Sequence, residues 1–412
     1  MTQNTNTAKI SPPSGEQNLV QLDRDPKFPR SWTDLIDSVV PAVVKSRYSP
    51  RETWKNKPFT KDDVRFFGKG LVQLQETLTD DRESALHTGK YFRNPAARSS
   101  YILFYLPLHG AKFLTLYQQH QHLLDSLTVD PPQTFRVLDL GSGPGTASLA
   151  FLAFFREKIS ATIPLEFTWV DPDRKILEDG EAIFNAWKTQ SFPDSPATVK
   201  LVSCLLQRYE RRDDFDFVLV GNVLNECGAS ENDEIALKRA IFPLITGTSR
   251  YGTLLLEPAS KASAQRLSRI RDEISKNVGI LGPCLHSGKC PLVEGRDWCH
   301  FSVHTQIPGT WFFEFSRLLG GRRDWLKFSY LWIKKGFEPP KNSQQFRRVI
   351  SDPIPTKDGT KILICQPETP DIRPLFRRDL LRGSLIPVSY LENADPVRQP
   401  LNRPDRRGKS SR

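Results

Sequence analysis

Phe135-Arg136-Val137-Leu138-Asp139-Leu140 runs directly into Gly141-Ser142-Gly143-Pro144-Gly145-Thr146, and few folds accommodate such a junction. The first six residues predict a mainly apolar strand, interrupted by Arg136 and Asp139, of the kind covered on both faces in a parallel sheet. The glycines remove side chains where the chain must turn, so a ligand can lie against the backbone. A helix starting at Thr146 would aim free N–H groups and positive potential at a carboxylate or phosphate. Downstream the pattern alternates: strand Phe167–Val170, helix Arg174–Thr189, strands Val199–Ser203 and Phe215–Val220, helix Asp233–Phe242, and the apolar run Gly252–Leu256. Repeated βα units of this kind build a parallel sheet with right-handed crossovers.

The glycine spacing is Gly-x-Gly-x-Gly with Asp139 two residues ahead, whereas dinucleotide enzymes use Gly-x-Gly-x-x-Gly. This arrangement resembles motif I of S-adenosylmethionine methyltransferases. The implied fold class is α/β: a class I, Rossmann-like methyltransferase sheet with a helical N-terminal domain and a cysteine-bearing insertion. Asp139, Gly141, Gly143 and Gly145 are the first candidate cofactor-binding residues. Asp171, in Trp169-Val170-Asp171-Pro172-Asp173, ends the next strand. There it either accepts hydrogen bonds from ribose hydroxyls or caps the following helix. Asn222 and Glu226 follow the fourth strand, at the carboxyl edge where ligands of open α/β sheets bind. Asn222 completes the cofactor set; no catalytic base is legible.

Around this core the chain divides by composition. Residues 1–30 are polar and read as disordered, and 31–130 as a helical domain. The methyltransferase core covers 131–258, a cysteine segment with final strands 259–367, and a basic tail 368–412. In the helical part, Trp32, Leu35, Ile36, Val39 and Val40 share one helix face, Thr60 is placed to start a second helix, and Pro107 predicts a kink. Candidate late strands are Lys327–Ile333 and Lys361–Cys365, the second stopped by Pro367. The 412 residues carry a net charge of +11, which favours polyanionic partners, nucleic acid ahead of membrane. No apolar run reaches the roughly 18 residues of a membrane span. The first 25 residues lack a signal or transit pattern, so a cytoplasmic location is expected.

Cys284, Cys290 and Cys299 fall within sixteen residues, out of six cysteines in the chain, and Cys365 follows at a strand end. Four thiolates suit a [4Fe-4S] cluster or a structural zinc; buried packing is the third reading. No Cys-x-x-Cys knuckle is present, which disfavours an ordinary zinc ribbon. His286, His300 and His304 read as groups behind the thiolates or on the surface, with zinc ligation in place of a cysteine as the alternative. Cys204 and Cys227 are assigned to packing.

Several segments, in order, resemble the methyltransferase-like proteins of the mitochondrial small ribosomal subunit and their bacterial relatives. They are Tyr101-Ile102-Leu103-Phe104-Tyr105-Leu106-Pro107; Leu256-Glu257-Pro258 followed by a helix with Arg266 and Arg269; Trp298-Cys299-His300-Phe301; Lys327-Phe328-Ser329-Tyr330-Leu331; Arg348-Val349-Ile350-Ser351; and Cys365. The resemblance implies a [4Fe-4S] cluster on Cys284, Cys290, Cys299 and Cys365 beside an S-adenosylmethionine fold. It also implies action on the small ribosomal subunit through its rRNA, in ribosome assembly and translation. Lack of a transit pattern favours a bacterial over a mitochondrial setting. Gly221-Asn222-Val223-Leu224-Asn225-Glu226 lacks the Asn-Pro-Pro-Tyr signature of a defined target atom. Two readings follow: an rRNA methyltransferase, or an assembly factor that binds rRNA and cofactor without methyl transfer. A zinc-binding methyltransferase is a third. Candidate phosphate contacts are Arg322, Arg323, Lys327, Lys334, Lys335, Arg347 and Arg348, with Arg377, Arg378, Arg382, Arg403, Arg406, Arg407, Lys409 and Arg412 in the tail.

Overall fold

The computed structural model describes residues 26–80, 90–128, 132–211, 213–226, 231–321, 323–338, 341–367, 370–374 and 380–392. Helices α1 (Arg30–Asp34), α2 (Val40–Tyr48), α3 (Glu52–Lys55), α4 (Lys61–Asp80), α5 (Pro95–Ser100) and α6 (Leu106–Gln119) come first. Leu35–Val39 and Tyr101–Tyr105 are π-helical turns that lead without a break into α2 and α6. Each is followed by a proline in the first turn of the next helix, Pro41 and Pro107. A proline ring collides with the carbonyl four residues back, and that carbonyl, on Asp37 or Leu103, lies inside the wider turn. The expected break at Pro107 is thus taken up as a π turn. Helix α4 begins one residue after Thr60, whose N–H and hydroxyl both donate to Asp63, at 2.8 and 2.9 Å.

The alternating region forms β1 (Phe135–Leu140), α7 (Thr146–Lys158), β2 (Leu165–Asp171), α8 (Arg174–Ser191), β3 (Ala197–Ser203), β4 (Phe217–Gly221), α9 (Glu231–Ile245) and β5 (Thr253–Pro258). Then follow α10 (Lys261–Ile274), β6 (Gly279–Gly282), β7 (Phe301–His304), α11 (Thr310–Leu318) and β8 (Trp325–Lys334). The sheet order is β3-β2-β1-β4-β5-β8-β6, with β7 on the side of β8. Strands β1 to β5 pair in parallel, and β8 enters antiparallel between β5 and β6. This is the strand order of a class I S-adenosylmethionine methyltransferase fold, with helices ahead of it.

Those leading helices share one apolar cluster with the sheet: Trp32, Phe104, Phe113 and Tyr117 join Phe151, Phe217 and Trp332. Burial of such large rings dominates the drive to fold. A second, smaller sheet of β9 (Phe346–Val349), β10 (Ile354–Thr356), β11 (Gly359–Cys365), β12 (Asp371–Pro374) and β13 (Leu385–Pro387) follows, before helix α12 (Val388–Glu392). Its own core is Val349, Ile362, Ile364, Leu380 and Ile386. Where composition suggests only a basic tail beyond Pro367, two strands complete this sheet. Each is four residues or fewer, too short for a period to show.

Candidate functional site

The glycine loop sits where the junction predicts, between β1 and α7. Gly141, Gly143 and Gly145 all have positive φ, at 67°, 52° and 73°, so each needs a residue free of the left-handed penalty. Their surroundings differ. A Cβ at Gly141 would meet Val223 at 2.3 Å, and one at Gly145 would meet Trp169 at 2.2 Å. A Cβ at Gly143 would meet nothing within 4 Å. The outer glycines therefore serve packing, and the middle one leaves its backbone open to a ligand.

Asp139 is buried, and its carboxylate accepts from the Ser148 hydroxyl at 2.6 Å and the Ser148 N–H at 3.2 Å. It thereby fixes the first turn of α7 against β1. Burial pushes it up to about 7, against those hydrogen bonds and with Asp171 adding. Asp171 accepts from the N–H of Gly143 at 3.0 Å and of Asp173 at 2.9 Å. Burial raises it to about 6, opposed by those two bonds. The cap of α8 is Asp173, which accepts from the Ile176 N–H at 3.0 Å. Asp171 thus holds the middle of the glycine loop, while the neighbouring acid does the capping that sequence also allowed it.

Asn222 directly follows β4 with φ of 58°, the one described non-glycine residue with positive φ, and its N–H donates to Leu256 O at 2.8 Å. Ser142 Oγ, Thr146 Oγ1 and Asn222 Oδ1 are buried without a partner among the described residues. Unpaired buried polar atoms are costly. Three of them around an open backbone fit a polar ligand across the loop, as S-adenosylmethionine would lie. Sequence reasoning missed Glu257. Its fully buried carboxylate accepts from the N–H groups of Leu224 and Asn225 at 2.8 and 3.1 Å. Burial pushes it up to about 7, opposed by those bonds and by Arg266. The signal was present: one acid closing the apolar run of β5. Glu226 and Cys227 are not described at the side-chain level.

The four cysteines converge from separate segments. Cys284, Cys299 and Cys365 line one small cleft with His286, Arg348 and Ile350. Cys290 is within electrostatic reach of Cys284 and of Cys299. Burial first, then the neighbouring sulfurs, push the Cys299 and Cys365 thiols well up and Cys290 to about 11. Among the described residues no three His, Cys, Asp or Glu side chains are disposed to hold a single metal ion. Three of the sulfurs line one space, and thiols raised by burial need a metal cation or cluster beside them to become thiolate. The donor set suits a [4Fe-4S] cluster or a zinc ion alike.

Buried arginines organise this region. Arg271 donates to Asp272 and to His286 O, each at 2.5 Å, and to Gly288 O. Asp272 in turn accepts from the Cys290 N–H at 3.0 Å. Arg348 donates to Pro283 O and Gly383 O at 2.9 Å, and Arg382 to Trp298 O at 3.3 Å and to Ile350 O. Ser329 holds Cys299 O at 2.8 Å. One expectation is corrected here. Arg348 and Arg382 commit their guanidinium N–H groups to the carbonyls just named, so they brace the cysteine loop instead of meeting a phosphate. His286 lies at the thiols, its Nε2 3.4 Å from Cys365 Sγ, whereas His300 stacks on Trp298 and His304 meets Trp325 edge-on. Cys204 packs against the apolar cluster on the other face of the sheet. Lys327 and Lys335 are exposed, and Arg323, Lys334 and Arg347 half-buried; Arg322, Arg377, Arg378, Arg403, Arg406, Arg407, Lys409 and Arg412 lie outside the described residues. No described helix is long and apolar enough to cross a membrane.

Comparison with known proteins adds a family. The family model described as mitochondrial small ribosomal subunit Rsm22 matches residues 103–377, more than half of the 412. Two Schizosaccharomyces pombe proteins, the mitochondrial Rsm22-cox11 tandem proteins 1 and 2, are 28% identical over 234 residues, 51% of this chain and 29% of theirs. The chain therefore spans under a third of the length of these relatives. Among solved structures, a putative RNA methyltransferase from Pyrococcus horikoshii aligns with TM-score 0.30 and 11% identity, covering 55% of this chain and 84% of its own. A putative class I S-adenosylmethionine-dependent methyltransferase from Listeria monocytogenes aligns with TM-score 0.32 and 13% identity, covering 68% and 91%.

Proposed function

This chain belongs to the mitochondrial small ribosomal subunit Rsm22 family, and from that premise we propose that it is an S-adenosylmethionine-dependent methyltransferase-like protein acting on small-subunit rRNA. The observation that carries the cofactor is the open backbone at Gly143, ringed by the unpaired Ser142, Thr146 and Asn222 atoms. Asp139, Gly141, Gly143, Gly145, Asp171 and Asn222 would hold it. The bound cofactor supplies an electrophilic methyl group, and the chain's part is to orient that group and exclude water. The acidic pair Asp139 and Asp171, both raised by burial, favours a ligand bearing positive charge.

Beside it, Cys284, Cys290, Cys299 and Cys365 would hold a [4Fe-4S] cluster, whose binding energy is folding energy for the loop. Its role is to lock the cysteine segment against β8 and the second sheet, and so to shape the face offered to rRNA. A second reading rests on Gly221-Asn222-Val223-Leu224-Asn225-Glu226, which carries no target-atom signature: an assembly factor that binds cofactor and rRNA without turnover. Radiolabelled methyl transfer to small-subunit rRNA from a deletion strain separates the two. Incorporation abolished by Gly143→Ala supports the enzyme; binding without incorporation supports the assembly factor. The relatives named above are mitochondrial proteins; co-sedimentation with the small ribosomal subunit tests whether this chain joins such a particle.

A further inference from the structure

The helix that precedes the sheet carries a feature that cofactor binding does not use. Tyr101, Tyr105 and His109 form a cluster of half-buried rings on the π turn and α6, each touching the other two, with Tyr101 and His109 6.3 Å apart. Tyr101 stacks on Tyr105 at 5.2 Å and 27°, and Tyr105 on His109 at 5.7 Å and 22°. The wide π turn brings the first two rings nearly parallel, and such turns concentrate at functional positions. Behind the cluster, Phe104 stacks on Phe312 of α11 at 5.2 Å, which anchors it to the core.

Beside His109 lies Lys112, 6% exposed, its Nζ 3.4 Å from His109 Nδ1. Among the described residues no carboxylate stands within ion-pair distance of this amine. Burial lowers it to about 8, and burial together with Lys112 lowers His109 further below its ordinary value. Two basic groups buried together without an acid are unfavourable until an anion joins them. Arg323 adds positive potential at Tyr105. The position is at the site: a Cβ on Gly221, where β4 ends, would come within 2.9 Å of Phe113. His109 is one turn earlier on the same helix face.

Flat half-buried rings with a buried, acid-free amine match the two halves of a nucleotide: a base to stack and a phosphate to neutralise. We propose that Tyr101, Tyr105, His109, Lys112 and Arg323 form a subsite for an unpaired nucleotide of RNA at the carboxyl edge of the sheet. This rests on the rRNA reading above and names its recognition residues.

The test uses the full chain and a single-stranded small-subunit rRNA fragment carrying 2-aminopurine, with fluorescence for stacking and anisotropy for affinity. The wild-type chain quenches the probe. Tyr105→Leu raises Kd about tenfold and removes the quenching, while Tyr105→Phe keeps both. Lys112→Met keeps the quenching but flattens the log–log salt dependence by about 0.7, one phosphate on a single strand. Affinity for S-adenosylhomocysteine is unchanged in the three variants, which also reports that they fold. RNA bound with unaltered affinity, quenching and salt slope by Tyr105→Leu and Lys112→Met overturns the subsite alone. No RNA binding by the wild-type chain overturns the rRNA reading and the subsite with it.

Discussion

The glycine loop and the cysteine loop are both candidate ligand sites, yet they are built in opposite ways. The first is contiguous: strand, turn and helix follow one another within Phe135–Lys158, and Asp139 and Ser148 tie both ends together. The second is assembled from Cys284, Cys290, Cys299 and Cys365, with braces from α10, β9 and the segment before β13. A contiguous site survives the loss of any one distant contact. An assembled site depends on all of them, so its weak points lie in residues that never touch the ligand.

The largest effect is therefore expected at Arg271. Arg271→Met leaves Asp272, His286 O and Gly288 O without their donor, and removing one member of a buried pair costs about 3–5 kcal/mol. Anaerobically purified wild-type chain should carry about four irons; the variant should fall below about one, by iron analysis. Retention of full iron content would make the cysteine site as self-contained as the glycine loop.

Within the glycine loop, the comparison sharpens between neighbours. Gly145→Ala drives a Cβ into Trp169, adding overpacking of about 1–3 kcal/mol to left-handed strain of about 1–2 kcal/mol. Gly143→Ala bears the strain alone, because its Cβ meets nothing. Urea melts should show position 145 as the more destabilised, and calorimetry position 143 as the one that binds S-adenosylhomocysteine at least about tenfold more weakly. Equal stability losses would contradict the division between packing and ligand glycines. A valine at 143 is a poorer probe, since a β-branched residue at positive φ is itself strongly strained.

A smaller effect is the pH dependence of the unliganded chain. Asp139 and Asp171 are raised to about 7 and about 6 by burial, above the ordinary value near 4. Their contribution to folding is therefore complete below about pH 4 and is lost as pH rises through about 6 to 7. Tm should fall across that window. Asp139→Asn, which can still accept from Ser148, should flatten the fall by up to about 1 kcal/mol per pH unit. A slope identical to wild type would remove Asp139 as its source.

The smallest effect separates basic residues that sequence treats alike. Lys335→Ala, on an exposed side chain, should reduce the salt slope of rRNA binding by about 0.7–0.9 and leave Tm unchanged. Arg348→Ala should lower Tm instead, since its guanidinium holds Pro283 O and Gly383 O. Truncation to test a basic tail belongs after Glu392, because a cut at Pro367 removes β12 and β13 from the second sheet.

What was legible follows from the same contrast. Periodicity located β1 to β5, the helices between them and β8, since long apolar or amphipathic runs carry their own signal. The antiparallel entry of β8 between β5 and β6 is a tertiary choice that no local pattern records. Of the second sheet only β11 showed, as the run Lys361–Cys365; its other strands are four residues or fewer, and Leu385-Ile386-Pro387 offers nothing to count. Arg271, Arg348 and Arg382 look like surface charges in sequence; only folding reveals that they satisfy carbonyls. Glu257 and Asp173 were visible as letters, but their partners, Leu224 and Asn225 for one and Ile176 for the other, fix their roles.

The central claim is that the backbone at Gly143 is a cofactor seat. Titration calorimetry of the anaerobically purified chain with S-adenosylhomocysteine tests it most directly, with Gly143→Ala alongside. One molecule bound per wild-type chain, with affinity at least about tenfold weaker in the variant, is the predicted result. No binding heat and no ligand-induced rise in Tm for wild type, or equal binding by both chains, would contradict it.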